Sequence, residues 1–188
     1  MNLWLRLLHL LVTSWARPRL HAPFDRSLLK FWVWFHDLDT SLHMNNGRYW
    51  TLMDLGRTDL MLRSGLWRAV LRHKWTPVVS AATIRFRREM RLFRAFRLET
   101  QILCWAETWL VMEHRIICKA ANGRDIISAV SLVKVGLYDR KERGFVPVQR
   151  MFDEMGTTAA VSPEPTPDVA AFLASEEAMK EMATGSRQ

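Results

Sequence analysis

The chain has 188 residues, 49% of them hydrophobic and 24% charged. That suffices for one folded domain with its own core, and sparse Gly and Pro exclude a disordered or fibrous protein. The formal net charge of +8 favours anionic partners, but no zinc-finger spacing, ribonucleoprotein aromatic motif or recognition helix supports nucleic acid as one of them.

Residues 1–17, MNLWLRLLHLLVTSWAR, hold no acidic residue. On a helix Asn2, Arg6, His9, Thr13 and Arg17 share one stripe, and Trp4, Leu8, Leu11 and Trp15 another. This predicts an amphipathic N-terminal helix within a segment 1–22. Such a helix either docks on its own domain or lies in a membrane interface. It is too short to span a bilayer, which takes about 20 apolar residues. A cleaved leader ending at the small residues Ser14 and Ala16 is a further reading, against which Arg6 and His9 interrupt the apolar run.

Residues 30–38, KFWVWFHDL, are aromatic and β-branched and predict the first strand. The polar seam DLDTSLHMNN (37–46) follows, and then residues 47–65 predict a helix. Its apolar residues Tyr49, Leu52, Met53, Gly56 and Leu60, widened by Leu55 and Leu62, cover so broad an arc that it must be buried. Gly56 lets a sheet approach closely, and Gly65 supplies a stop. From residue 77 the period changes to two. Residues 77–89, 95–105, 109–120 and 124–138 predict four strands, with a hairpin at Asn122-Gly123. Residues 146–155 and 168–183 predict helices flanking the Pro-rich 162–167, in a helical tail 146–188. Cys104 and Cys118 fall in strands without metal-ligand spacing. They read as free thiols of a cytoplasmic protein that has no metal site.

The order of strand, long helix and four antiparallel strands points to an α+β domain over 23–145, one sheet packed on one buried helix. A sheet of five or six strands leaves exposed edges, so a homodimer or a dimer of dimers is expected. At the seam, Asn45 or Asn46 caps the helix. Open N–H groups near Asn46 and Gly47, with the helix dipole, make an oxyanion site. Asp39, close to that positive end, stays ionised and can act as nucleophile or general base. The competing reading is that Asp37, Asp39 and the asparagines only cap turns and the helix.

The pattern DLD-x3-HMNN-x2-Y-x4-D-x2-R (37–57) resembles the signature of hot-dog-fold acyl-CoA thioesterases. It is similar to the 4-hydroxybenzoyl-CoA thioesterase type and, most of all, to the thioesterase superfamily member 6 group. Plant acyl-acyl-carrier-protein thioesterases carry a similar DLD followed by His, a paired Asn and Tyr. The resemblance implies a sheet wrapped around a long central helix and hydrolysis of acyl-CoA or acyl-carrier thioesters in lipid metabolism. Coenzyme A enters as part of the substrate, and no cofactor is needed.

The resemblance makes Asp39 the catalytic carboxylate and sets the amides near Asn46 and Gly47 against the thioester carbonyl. His43 matches the plant His, which would bond the carbonyl or orient Asp39, and it reads equally as a polar residue at the helix entry. Ser41 stands where the plant enzymes have a catalytic Asn. That departure sustains a second reading, a non-catalytic acyl-CoA- or lipid-binding hot-dog protein held peripherally at a membrane surface. Asp54, spaced to pair with Arg57, is a minor candidate for the carboxylate. Arg85, Arg87 and Arg88, part of a basic cluster reaching Arg97, would meet the phosphates of coenzyme A, although each also reads as solvated surface. The acyl chain would run between helix and sheet past Trp50 and Met53. A dehydratase of the same fold is a weaker reading, because its paired His and acid are not apparent on the central helix.

Overall fold

The computed structural model describes residues 3–157 and 161–185. Among them the helices are α1 (Leu3–Ser14), α2 (Asn46–Ser64), α3 (Leu66–His73), α4 (Val148–Met155) and α5 (Pro167–Gly185). The strands are β1 (Ser27–Trp32), β2 (Trp75–Phe86), β3 (Ala95–Trp105), β4 (Leu110–Lys119), β5 (Asp125–Asp139) and the short β6 (Gly144–Phe145). They form one antiparallel sheet in the order β1-β3-β4-β5-β2, with β6 on β5.

The buried helix packs across one face of this sheet. Tyr49, Leu52, Met53 and Leu55 of α2 share a core with Leu98 of β3 and Ile116 of β4. Gly56 makes the approach possible. A Cβ there would lie 3.0 Å from Leu98 Cδ2 and closer still to Thr100 Oγ1, so any larger residue pushes helix and strand apart. The opposite face of the sheet is covered in part by α5. Its Val169 and Phe172 bury Cys104, Val111 and Leu132, and Glu176 pairs with Lys134 at 2.6 Å. Layers on both faces explain why β4 is buried along nearly all its length. Cys104 and Cys118 are buried free thiols.

Two sequence expectations need correction. The first strand is Ser27–Trp32, not 30–38. Beyond Val33 the chain turns through a 3-10 turn at Phe35–Asp37, fixed by the Asp37 carboxylate, which accepts the Trp34 N–H at 2.9 Å. Second, α3 was not expected. Gly65, at φ 86, both ends α2 and starts α3, so a residue read as a stop is a hinge between two helices. The stripes of α1 do not by themselves say which side turns inward. Arg6, Leu10 and Ser14 point inward, while the tryptophan–leucine stripe lies outside. Arg6 is 4% exposed and grips Asp37, itself 1% exposed, with contacts of 2.6 and 3.2 Å.

Candidate active site

The seam folds as a tight hairpin ahead of α2. The Asp39 N–H donates to His43 O at 2.8 Å, and the Leu42 N–H donates to Asp39 O at 3.1 Å. Leu42 takes the left-handed conformation (φ 60) at the tip, a position that usually falls to Gly or Asn. Leu38 and Met44 bridge across its base, and His43 bridges to Arg91.

Within this loop Asp39 Oδ1 accepts the Ser41 N–H at 2.8 Å and the His43 N–H at 3.3 Å. Among the described residues, Oδ2 accepts nothing. The helix cap is Asn45, whose Oδ1 accepts the Gly47 N–H at 2.8 Å and whose carbonyl accepts the Arg48 N–H at 2.8 Å. The amide of Gly47 is therefore spent on the cap, contrary to its expected role as an oxyanion donor. The Asn46 N–H has no acceptor among the described residues, and it is the open donor of the first turn.

Asp39, Ser41, His43, Asn46, Tyr49, Arg87, Arg88 and Glu89 line one cleft of about 320 Å³. Of the candidates named in the sequence, Asp39, His43, Asn46, Arg87 and Arg88 thus meet in one place, and Asp54 stands apart in another chamber. Gly47 and Arg85 do not line the cleft. Arg85 alternates with Phe86, which does line the cleft, and is exposed on β2 outside it. Glu89 escaped the sequence reading. Its Oε2 lies 3.1 Å from His43 Nε2. Tyr49, a core residue and the Tyr of the 37–57 pattern, also lines the cleft. Burial first, then the nearby Cys118, pushes its hydroxyl up to about 12, so it remains a protonated O–H donor at neutral pH.

A second chamber of about 330 Å³ lies farther along α2, lined mainly by aliphatic and Met side chains that include Leu60, Met61, Leu110, Met112 and Met151. Trp50 and Met53, expected along the acyl path, sit in the core rather than on this wall. Asp54 and Arg57 stand at its polar side and pair with each other. Arg57 Nη1 lies 3.1 Å from Nε2 of the fully buried His114, whose Nδ1 lies 2.9 Å from Thr100 Oγ1. Arginine only donates, so Nε2 must accept and the imidazole is the neutral Nδ1–H form. Burial first, then the Arg57 charge, holds His114 at about 3. A single His within a strand gave no sequence signal for this role.

Among the described residues no group of three or more His, Cys, Asp or Glu side chains is placed to hold a metal ion. No helix of the described residues is long and apolar enough to cross a membrane.

The family model of the thioesterase-like superfamily matches residues 33–172. A similar curated relative is Protein THEM6 of Xenopus laevis, 39% identical over 95 residues, covering 50% of this chain and 44% of the relative. Protein THEM6 of Danio rerio is 40% identical, covering 54% and 49%, so the chain spans about half the length of these relatives. Among solved structures, the YbaW probable thioesterase of Escherichia coli superposes with a TM-score of 0.61 at 19% identity, covering 68% of this chain and 95% of that one. At that identity the likeness shows the fold, and it is the hot-dog fold. With its family model matched over most of its length, the chain belongs to the thioesterase-like superfamily.

Proposed function

We propose that the cleft at the N-terminus of α2 hydrolyses acyl-CoA or acyl-carrier thioesters. The supporting observation is that Asp39, His43 and Asn46 share one cleft with Arg87 and Arg88. A thioester carbonyl seated against the Asn46 N–H and the positive end of α2 is polarised before attack. Asp39 then works in one of two ways. As a base, Oδ2 takes a proton from water while hydroxide adds to the acyl carbon. The oxyanion collapses, the C–S bond breaks, and the thiolate takes the proton back from Asp39. As a nucleophile, Asp39 bonds the acyl carbon and expels the thiolate, and water hydrolyses the resulting anhydride. His43, beside Glu89, hydrogen-bonds the carbonyl or orients Asp39. Arg87 and Arg88 meet the phosphates of coenzyme A, as guanidinium forks suit paired oxygens.

The test is release of free thiol from a panel of acyl-CoAs by the full chain. Turnover should be saturable, and Asp39→Asn should lower kcat by about 10²–10⁴. Undiminished turnover in Asp39→Asn would sink the mechanism.

Ser41, in place of the plant asparagine, favours the second reading, a non-catalytic acyl-CoA- or lipid-binding module at a membrane surface. Saturable acyl-CoA binding without thiol release would establish it over the first. A homodimer accords with both. Among the described residues β2 pairs only with β5, and a twelve-residue edge strand offers unpaired backbone groups to a second copy. Sedimentation equilibrium at twice the chain mass supports this, and a monomer at micromolar concentration opposes it.

A further inference from the structure

The helix α1 is apolar on two sides. Leu3, Leu7 and Leu10 pack into the core and its one arginine is buried against Asp37 at 2.6 Å, while a second apolar stripe is on the outside. Trp4 is 73% exposed, Val12 68% and Trp15 79%, with Leu5, Leu8 and Leu11 also exposed between them. A helix docked only for the sake of its own fold buries that stripe.

The face continues onto α3. Trp15 and Trp67 rings lie 6.2 Å apart, and Leu71 of α3 is exposed. Between α1, the end of α2 and α3 runs a groove of about 550 Å³ lined by these rings and by Arg17, Arg19, Arg63 and Arg68. The four arginines divide into two pairs. Arg17 and Arg63 are held by the buried Asp59 at 2.7 and 3.2 Å. Arg19 and Arg68 are exposed and have no acidic partner among the described residues, and Arg68 lies over the Trp67 ring at 5.6 Å. No Asp or Glu occurs before Asp25.

We infer that α1 and α3 together form a contact face for an anionic lipid surface. The exposed leucines and valine enter the acyl boundary, the tryptophans sit at the headgroup level, and Arg19 and Arg68 meet lipid phosphates. Charge selects this occupant. Two copies meeting through this face would bring the same unpaired arginines together, whereas an anionic surface neutralises them. The helix lies on the surface and does not cross it. This contact is independent of the chemistry proposed for the cleft.

Co-sedimentation with vesicles tests the inference. The full chain should pellet with phosphatidylcholine vesicles containing phosphatidylserine. It should bind pure phosphatidylcholine vesicles and high-salt samples at least about tenfold more weakly. Leu8→Glu with Val12→Glu, both outward-facing and so compatible with the fold, should lose binding by about tenfold or more with an unchanged melting temperature. Arg19→Ala with Arg68→Ala should lose the preference for phosphatidylserine and keep residual binding. The inference is overturned if the full chain stays in the supernatant with phosphatidylserine vesicles at low salt. It is equally overturned if the Leu8→Glu, Val12→Glu chain binds as well as the parent, or if that variant only halves the sedimenting mass, which would make the face a contact between copies.

Discussion

Asp37 and Asp39 stand two residues apart in one motif and have opposite surroundings. Asp37 is buried, clasped by Arg6 of α1 and bonded to the Trp34 N–H. Asp39 has one oxygen held by two backbone amides and lines an open cleft. A carboxylate whose oxygens are all engaged holds structure together. Asp39 is oriented through a single oxygen, and its other oxygen accepts no hydrogen bond among the described residues. Residue type and spacing mark both alike, and only the partners separate them.

The comparison breaks most sharply through crossed substitutions. Asp39→Asn should cost about 10²–10⁴ in kcat and less than about 1 kcal/mol in stability, whereas Asp37→Asn should do the reverse. Turnover assays and urea melts on both variants check this. Next in size is Arg6→Ala. It removes the 2.6 Å partner of a buried carboxylate and leaves only Arg48, at 3.5 Å, as a charged arginine beside it, so denaturant unfolding should show a loss of roughly 3 kcal/mol.

His114 extends the contrast to a buried base. Its folded value of about 3 lies below the ordinary 6.5, so between those values the unfolded chain binds a proton that the native state refuses. Stability is full above about pH 6.5 and falls by roughly 1.4 kcal/mol per unit as pH drops toward 3. Thermal melts across that range should show this slope in the parent, reduced in His114→Gln. Gly56→Ala should destabilise by about 1–3 kcal/mol, because the added methyl meets Thr100 and Leu98 faster than helix propensity can compensate. Smallest is the basic side of the cleft. Arg87→Ala with Arg88→Ala should raise KM for acyl-CoA about threefold to tenfold with kcat held, and Arg85→Ala, outside the cleft, should leave both unchanged.

Much of the fold is legible in the sequence, because α2 and the strands carry clean periods. Residues 95–105 form β3 as expected, and α2 begins within one residue of expectation. What is not legible depends on distant partners. The aromatic run 31–35 has strand composition, but the Asp37 carboxylate turns the chain there. The two stripes of α1 are plain, while the choice of inward face belongs to the Arg6–Asp37 pair, 31 residues apart. The site follows the same rule. The local loop brings Asp39, His43 and Asn46 to the candidate cleft, and their nearness in the chain is legible. Glu89 reaches His43 from beyond β2, and His114 meets Arg57 across 57 residues, so neither leaves a local trace. Asn45 and Asn46 are chemically alike, and only the hydrogen bond to Gly47 shows which one caps and which one leaves its amide open.

The most direct test of the central claim pairs acyl-CoA binding with single-turnover thiol release in the parent chain and Asp39→Asn. The account predicts comparable binding in both, release by the parent, and release slowed by about 10²–10⁴ in Asp39→Asn. Equal release rates in the two chains would contradict it.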